Sequence, residues 1–95
     1  MRVIAQSTLR KFWEEHKNAE GPLRAWYAEA KAADWKTTAD IKAQHGSASV
    51  LQRGRVVFNI GGNKYRLLVH LKYPWVNIRF IGTHKEYDAI DAQTV

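Results

Sequence analysis

Apolar residues recur at helical spacing through the first third of the chain. Leu9, Phe12, Trp13 and His16 fall at i, i+3, i+4 and i+7, and Leu23, Trp26, Tyr27 and Ala30 repeat the stripe after a break over 18–21. A short alternating run, MRVIA, precedes them and predicts a first strand. Ser7 is placed to cap the first helix, and Pro22 suits the first position of the second. Thr38 is the expected cap of a short third helix over ADIKAQ, which Gly46 ends.

Beyond Gly46 the period changes from helical to two. SVLQ and RVVFNI flank Arg53–Gly54, while RVVFNI and KYRLLVHLKY flank Gly61–Gly62–Asn63. Both connectors hold residues that tolerate positive φ, so both read as hairpin turns. Pro74 closes that strand, VNIRFIGT supplies another, and Thr83 caps a last short helix over HKEYDAI. Helices first and then an antiparallel meander predict an α+β fold with the helices on one sheet face. Alternation sets Lys64, Arg66, Leu68 and His70 on one face, against Tyr65, Leu67, Val69 and Leu71. On the last strand it sets Arg79, Ile81 and Thr83 against Ile78 and Phe80. The Tyr65–Phe80 face is the expected core, and the other carries the cations. Trp35 and Trp75 are candidates either for exposed contacts or for core packing.

At 95 residues the chain predicts one domain, 1–95, with a single core. Its 45% hydrophobic content includes four Trp, four Tyr and three Phe, which argues for a folded globule. The absence of Cys excludes disulfide scaffolds and thiolate zinc sites. No apolar run approaches the ~20 residues of a membrane span, and MRVIAQSTLRKF lacks a signal-peptide centre; a cytoplasmic protein is expected.

The net charge of +6 is unevenly spread. No acid occurs from Ile41 to Lys85, where Lys42, Arg53, Arg55, Lys64, Arg66, Lys72, Arg79 and Lys85 stand. A polyanion is the natural partner of such a half-chain, although a solvated basic surface gives the same count.

Familiar chemistries are missing. GGNK lacks the spacing of a phosphate loop, there is no HExxH, and His16, His45, His70 and His84 are scattered over different elements, so no metal or cofactor is expected. His16 lies on the first helix's apolar stripe, and His45 reads as a helix-end histidine. The remaining cluster is His84, Lys85, Glu86, Tyr87 and Asp88. Alone it resembles any charged helix start. Following the strand of Arg79, and near that of Arg66, it falls at the rim of the cationic face. RNA can be cut without a metal when its 2′-OH attacks the adjacent phosphorus. That reaction needs a base, cations around the phosphoryl oxygens and an acid for the leaving 5′-oxygen. Histidine titrates near neutrality, and Arg and Lys provide the charge. Tyr can stack a base or pass a proton.

FNIGGNKYRLLVHL followed by VNIRFIGTHKEYDAID closely resembles the HigB group of bacterial toxins, in the RelE-like superfamily, and the preceding helices agree. The resemblance implies a RelE-like α+β domain acting as an endonuclease on mRNA being translated by the ribosome. It also implies neutralisation by a HigA antitoxin, a helix-turn-helix protein. By position it carries over Asn59, Asn63 and Arg66 from the hairpin, and His84, Lys85, Tyr87 and Asp88 from the last segment. The expected roles are His84 as acid or base, Arg66 as phosphate clamp, and Lys85 with Tyr87 completing the catalytic group. Lys64, Arg79, Asn59, Asn63, Arg55, His70 and Asp88 are expected RNA contacts. Asp88 either orients His84 at i+4 or caps; Asn59 either serves the sheet edge or touches RNA. Two rival functions share the fold: a non-catalytic RNA or protein binder, and a toxin that poisons DNA gyrase.

Overall fold

The computed structural model describes Met1–Val95. Its elements are β1 (Arg2–Ile4), α1 (Gln6–Glu15), a 3-10 turn (Lys17–Ala19), α2 (Glu20–Ala32), α3 (Thr38–Gln44), β2 (Ser49–Val50), β3 (Arg55–Ile60), β4 (Tyr65–Lys72), β5 (Trp75–Thr83) and α4 (His84–Asp88). The strands form one sheet in the order β1-β5-β4-β3-β2, with β1 parallel to β5 and the other neighbours antiparallel. The predicted element order and the α+β class are those of the molecule.

The helical stripes and one face of the strands meet in a cluster of 17 buried side chains. Leu9 and Trp13 of α1, and Leu23, Trp26 and Ala30 of α2, pack on Phe58 and Ile60 of β3 and on Tyr65, Leu67, Val69 and Leu71 of β4. No polar or charged residue is buried, so the layer holds by apolar area alone. Trp35 belongs to this core: it is 2% exposed, and its Nε1–H donates to Gln44 Oε1 at 2.9 Å. Of the two tryptophans proposed as surface contacts, only Trp75 is exposed.

One face assignment was wrong. Leu68 pairs with Phe80 but Val69 pairs with Ile78, so Arg79 is the extra residue of a β-bulge. An extra residue shifts the two-residue period by one from that point onward. Ile81 therefore packs with Ile78 against the core, and Phe80 turns to the outer face beside Leu68. The bulge lets β5 follow the core through its whole length and still deliver Gly82 opposite Arg66.

Three caps also differ from expectation. The N-cap of α1 is Ala5, without a side-chain bond, so Ser7 lies inside the helix. Glu20 opens α2, and Pro22 occupies the third position, where its missing N–H still has no helical acceptor to lose. Thr37 rather than Thr38 caps α3, because Asp40 stands three residues on and completes a reciprocal capping box. Gly54 meets a firm requirement. Its φ is +76°, and a Cβ there would come within 2.8 Å of the Leu71 carbonyl oxygen.

Candidate active site

The junction of β5 and α4 is built by Thr83. Its hydroxyl accepts from the Glu86 N–H at 3.2 Å, and the Glu86 carboxylate accepts from the Thr83 N–H at 2.8 Å. This second capping box turns the chain sharply at the end of the sheet. The Thr83 backbone hydrogen bond holds the Glu86 carboxyl below the usual carboxylate range. Desolvation opposes it, and the Thr83 side chain and the His16 imidazole add smaller pulls downward. Gly82 leaves room for the turn: a Cβ there would lie 2.5 Å from Phe80 Cζ and 3.1 Å from Glu86 Oε1. Glu86 and Gly82 thus position the site without belonging to its chemistry. The T-x-x-E spacing carried the first signal; nothing in the sequence carried the second.

The turn brings two contacts together. His84 Nε2 lies 3.1 Å from Asn63 Oδ1, at the tip of the β3–β4 hairpin. An amide oxygen only accepts, so in this contact Nε2–H is the donor, and Asn63 does not engage Nδ1. Tyr87, one helical turn further on, sets its ring under the Arg66 guanidinium, with Cζ 5.9 Å from the ring centroid. Phe80 supports the phenol from the sheet, with centroids 6.3 Å apart. Arg66 faces Gly82 across the ladder and stands on the outer face, away from the helices. Arg66, Tyr87, His84 and Asn63 therefore share one end of the sheet, with Lys85 exposed beside them on the first turn of α4.

The other expected site residues divide. Lys64 is exposed in the hairpin turn close by. Asp88 is exposed at the end of α4, and the partner of the His84 ring is Asn63 instead. Asn59 faces Arg66 across the β3–β4 ladder, but its side-chain N–H donates to the Ser47 carbonyl at 3.3 Å, the edge role of its two readings. His70 lies four residues along β4 from Arg66, about 13 Å at strand rise, too far to join the group. Arg55 and Arg79 are engaged within the chain. Arg55 donates to backbone oxygens of Ala92 and Val95, and Arg79 to that of Val95.

The remaining histidines sit among aromatic rings. His16 ends α1, stacked on Phe12 at 4.3 Å between centroids. His45 ends α3, edge-on to Phe58, with Nε2 3.2 Å from Glu29 Oε2. No three His, Asp or Glu side chains gather into a metal-binding group, and no helix is long and apolar enough to cross a membrane.

Helices on one face of a five-stranded mixed sheet, with a short helix closing its end, give the architecture of the RelE-like toxins. Residues 19–90 match the family HigB_toxin, described as the RelE-like toxic component of a toxin-antitoxin system. That span takes in α2 through α4, and the chain belongs to this family. Membership implies an antitoxin partner. No curated protein matches the chain.

Proposed function

We propose that the protein is an endoribonuclease of the mRNA-interferase type. It cuts translated messages on the ribosome by attack of the 2′-OH on the neighbouring phosphorus, needs no metal, and is neutralised by a HigA antitoxin. The observation that carries this reading is the meeting of the Asn63-bound His84 ring with the Arg66–Tyr87 pair at one end of the outer face.

In this reading His84 takes the 2′-OH proton on Nδ1 while Asn63 fixes the ring through Nε2. The new bond is 2′-O to phosphorus and the broken one is phosphorus to 5′-O, which leaves a cyclic phosphate and a 5′-hydroxyl. Negative charge grows on the non-bridging oxygens in the transition state. Arg66 meets it with a planar fork of donors, and Lys85 adds a second cation. Tyr87 holds the guanidinium from beneath and offers a stacking face to a base or a proton to the leaving oxygen. Lys64, at the hairpin tip, steers the backbone toward the site.

The test is primer extension on a translated message after brief induction. Discrete new 5′ ends that vanish in Arg66→Ala support cleavage at this site. Intact transcripts accompanied by DNA damage would overturn the reading in favour of gyrase poisoning.

A further inference from the structure

The uncovered edge of β3 carries a pocket that the proposed chemistry does not use. Strand β2 pairs with β3 only at Val56 and Val57, which leaves 58–60 without a strand partner on that side. A pocket of about 160 Å³ lies against this edge, walled by Phe58 and Ile60 of β3, Trp26 of α2 and His45 at the end of α3. Buried polar groups in folded proteins are nearly always paired. Three buried side-chain atoms of this molecule have no hydrogen-bond partner in the chain: Trp26 Nε1, His45 Nε2 and Asn59 Oδ1. All three belong to residues that line this one pocket.

What surrounds these atoms sets their roles. The Asn59 amide N–H is committed to the Ser47 carbonyl at 3.3 Å, so its oxygen is the free end, and an amide oxygen only accepts. The Trp26 indole, 3% exposed, only donates. His45 Nε2 lies 3.2 Å from Glu29 Oε2, close enough to attract it when the ring is protonated but off line for a hydrogen bond. Glu29 is the one formal charge among the lining residues, and it is half exposed. In a protein of net charge +6, this rim is set against anions. The three atoms themselves have almost no exposed surface, so a ligand meets them through a small side-chain adjustment at the open edge.

One donor and one acceptor between apolar walls match a planar lactam, whose carbonyl accepts and whose adjacent N–H donates. The volume is that of about five water molecules, well below the ~300 Å³ of a drug-sized site, and suits a single ring. We propose that the pocket binds a neutral, single-ring lactam of the pyrimidine-base kind as a free molecule. The ring carbonyl accepts from Trp26 Nε1–H, and the ring N–H donates to Asn59 Oδ1. The Glu29 carboxylate at the mouth turns away anionic forms of the same ring. The pocket shares β3 with the hairpin that carries Asn63, but its assignment does not rest on the ribonuclease reading.

The experiment titrates uracil into the isotope-labelled intact protein and follows the indole N–H and side-chain amide signals by NMR. The four tryptophans give four indole signals, and Trp26→Phe identifies that of Trp26. Saturable shifts of the Trp26 indole and the Asn59 amide are expected, while the exposed Trp75 indole stays unmoved. Dimethyluracil, methylated on both ring nitrogens, keeps the carbonyls but cannot donate. It should bind about tenfold more weakly, the worth of one hydrogen bond, and Asn59→Ala should weaken uracil by a similar factor. Orotate, the same ring with a carboxylate, should bind more weakly than uracil, and Glu29→Gln should narrow that gap.

Since Trp26 is a core residue, Trp26→Phe can fail to fold; the Asn59 amide signal, assigned through Asn59→Ala at the sheet edge, then carries the test. Signals that stay fixed at saturating uracil overturn the proposal and leave the pocket to water. Equal binding by dimethyluracil overturns the donor–acceptor match. An oligouridylate that shifts the Trp26 indole where uracil does not would give the pocket to RNA and overturn the free-molecule assignment. None of these outcomes bears on cleavage at Arg66 and His84, which the primer-extension test decides separately.

Discussion

The two faces of the sheet are built on opposite rules. The helix-covered face buries no polar or charged residue, only the indole N–H groups of Trp26 and Trp35, and specifies itself through area: Leu67, Val69 and Val56 are fully buried, and an apolar side chain of similar shape would serve. The outer face also buries Leu68 and Val57, but its polar groups are set by direction. Its imidazole is aimed by one amide, its guanidinium rests on one phenol, and a five-residue helix is fixed by one capping box. Stability lives on the first face, and the proposed chemistry lies on the second. Damage to one should leave the other largely intact.

Arg66→Ala is the widest break expected. Loss of a preorganised donor at a transition-state oxyanion lowers turnover by about 10²–10³-fold. An exposed-face change without a buried partner should leave the unfolding free energy within about 0.5 kcal/mol of the original. A folded, fully active Arg66→Ala protein would erase the comparison. Leu67→Ala inverts it: deleting a fully buried leucine costs about 2–5 kcal/mol of stability, measured by urea unfolding, while the fraction still folded keeps its cleavage rate. Gly82→Ala tests the hinge between the faces. The added methyl must push Phe80 and Glu86 aside, at about 1–3 kcal/mol, and activity should fall together with amide protection of α4 while the core strands keep theirs.

The smallest effect is at the cap. Thr83→Ala should cost about 1 kcal/mol, confined to α4. Its acid dependence has a defined sign. The folded-state Glu86 carboxyl titrates below its ordinary value, so its contribution is complete above about pH 4.3, the unfolded glutamate value. The contribution is then lost as the pH falls through the lowered folded value. Amide exchange in α4 should quicken on acidification through that window, and Glu86→Gln should flatten the dependence.

The contrast also explains what could be read from the sequence. The core face repeats: Leu9, Phe12 and Trp13 at helical spacing, and Tyr65, Leu67, Val69 and Leu71 at spacing two, announce themselves because many residues carry the same message. Element order, both hairpin turns and the last helix followed from such patterns. The bulge at Arg79 did not, since one inserted residue leaves no mark on composition and only pairing with β4 exposes it. Thr37 was missed for Thr38 because the two are alike until the Asp40 carboxylate chooses between them.

On the outer face the residue types were legible and their partners were not. His84, Arg66 and Tyr87 stood out as chemistry near one end of the sheet. The Asn63 amide was read as a turn residue, although its oxygen is what holds the His84 ring. Arg55 and Arg79 were read as RNA contacts, and backbone oxygens of the chain's last residues hold them. Contacts between single side chains distant in sequence have no period, and a pattern argument cannot reach them.

The most direct test of the account is single-turnover cleavage of message on programmed ribosomes by the His84→Gln protein at neutral pH. Glutamine keeps a hydrogen-bonding side chain near Asn63 but cannot exchange a proton. Cutting should slow by about 10²–10⁴-fold, the usual contribution of a general base, while ribosome association and folding stay unchanged. Undiminished cutting by that protein would contradict the proposal that His84 moves the proton.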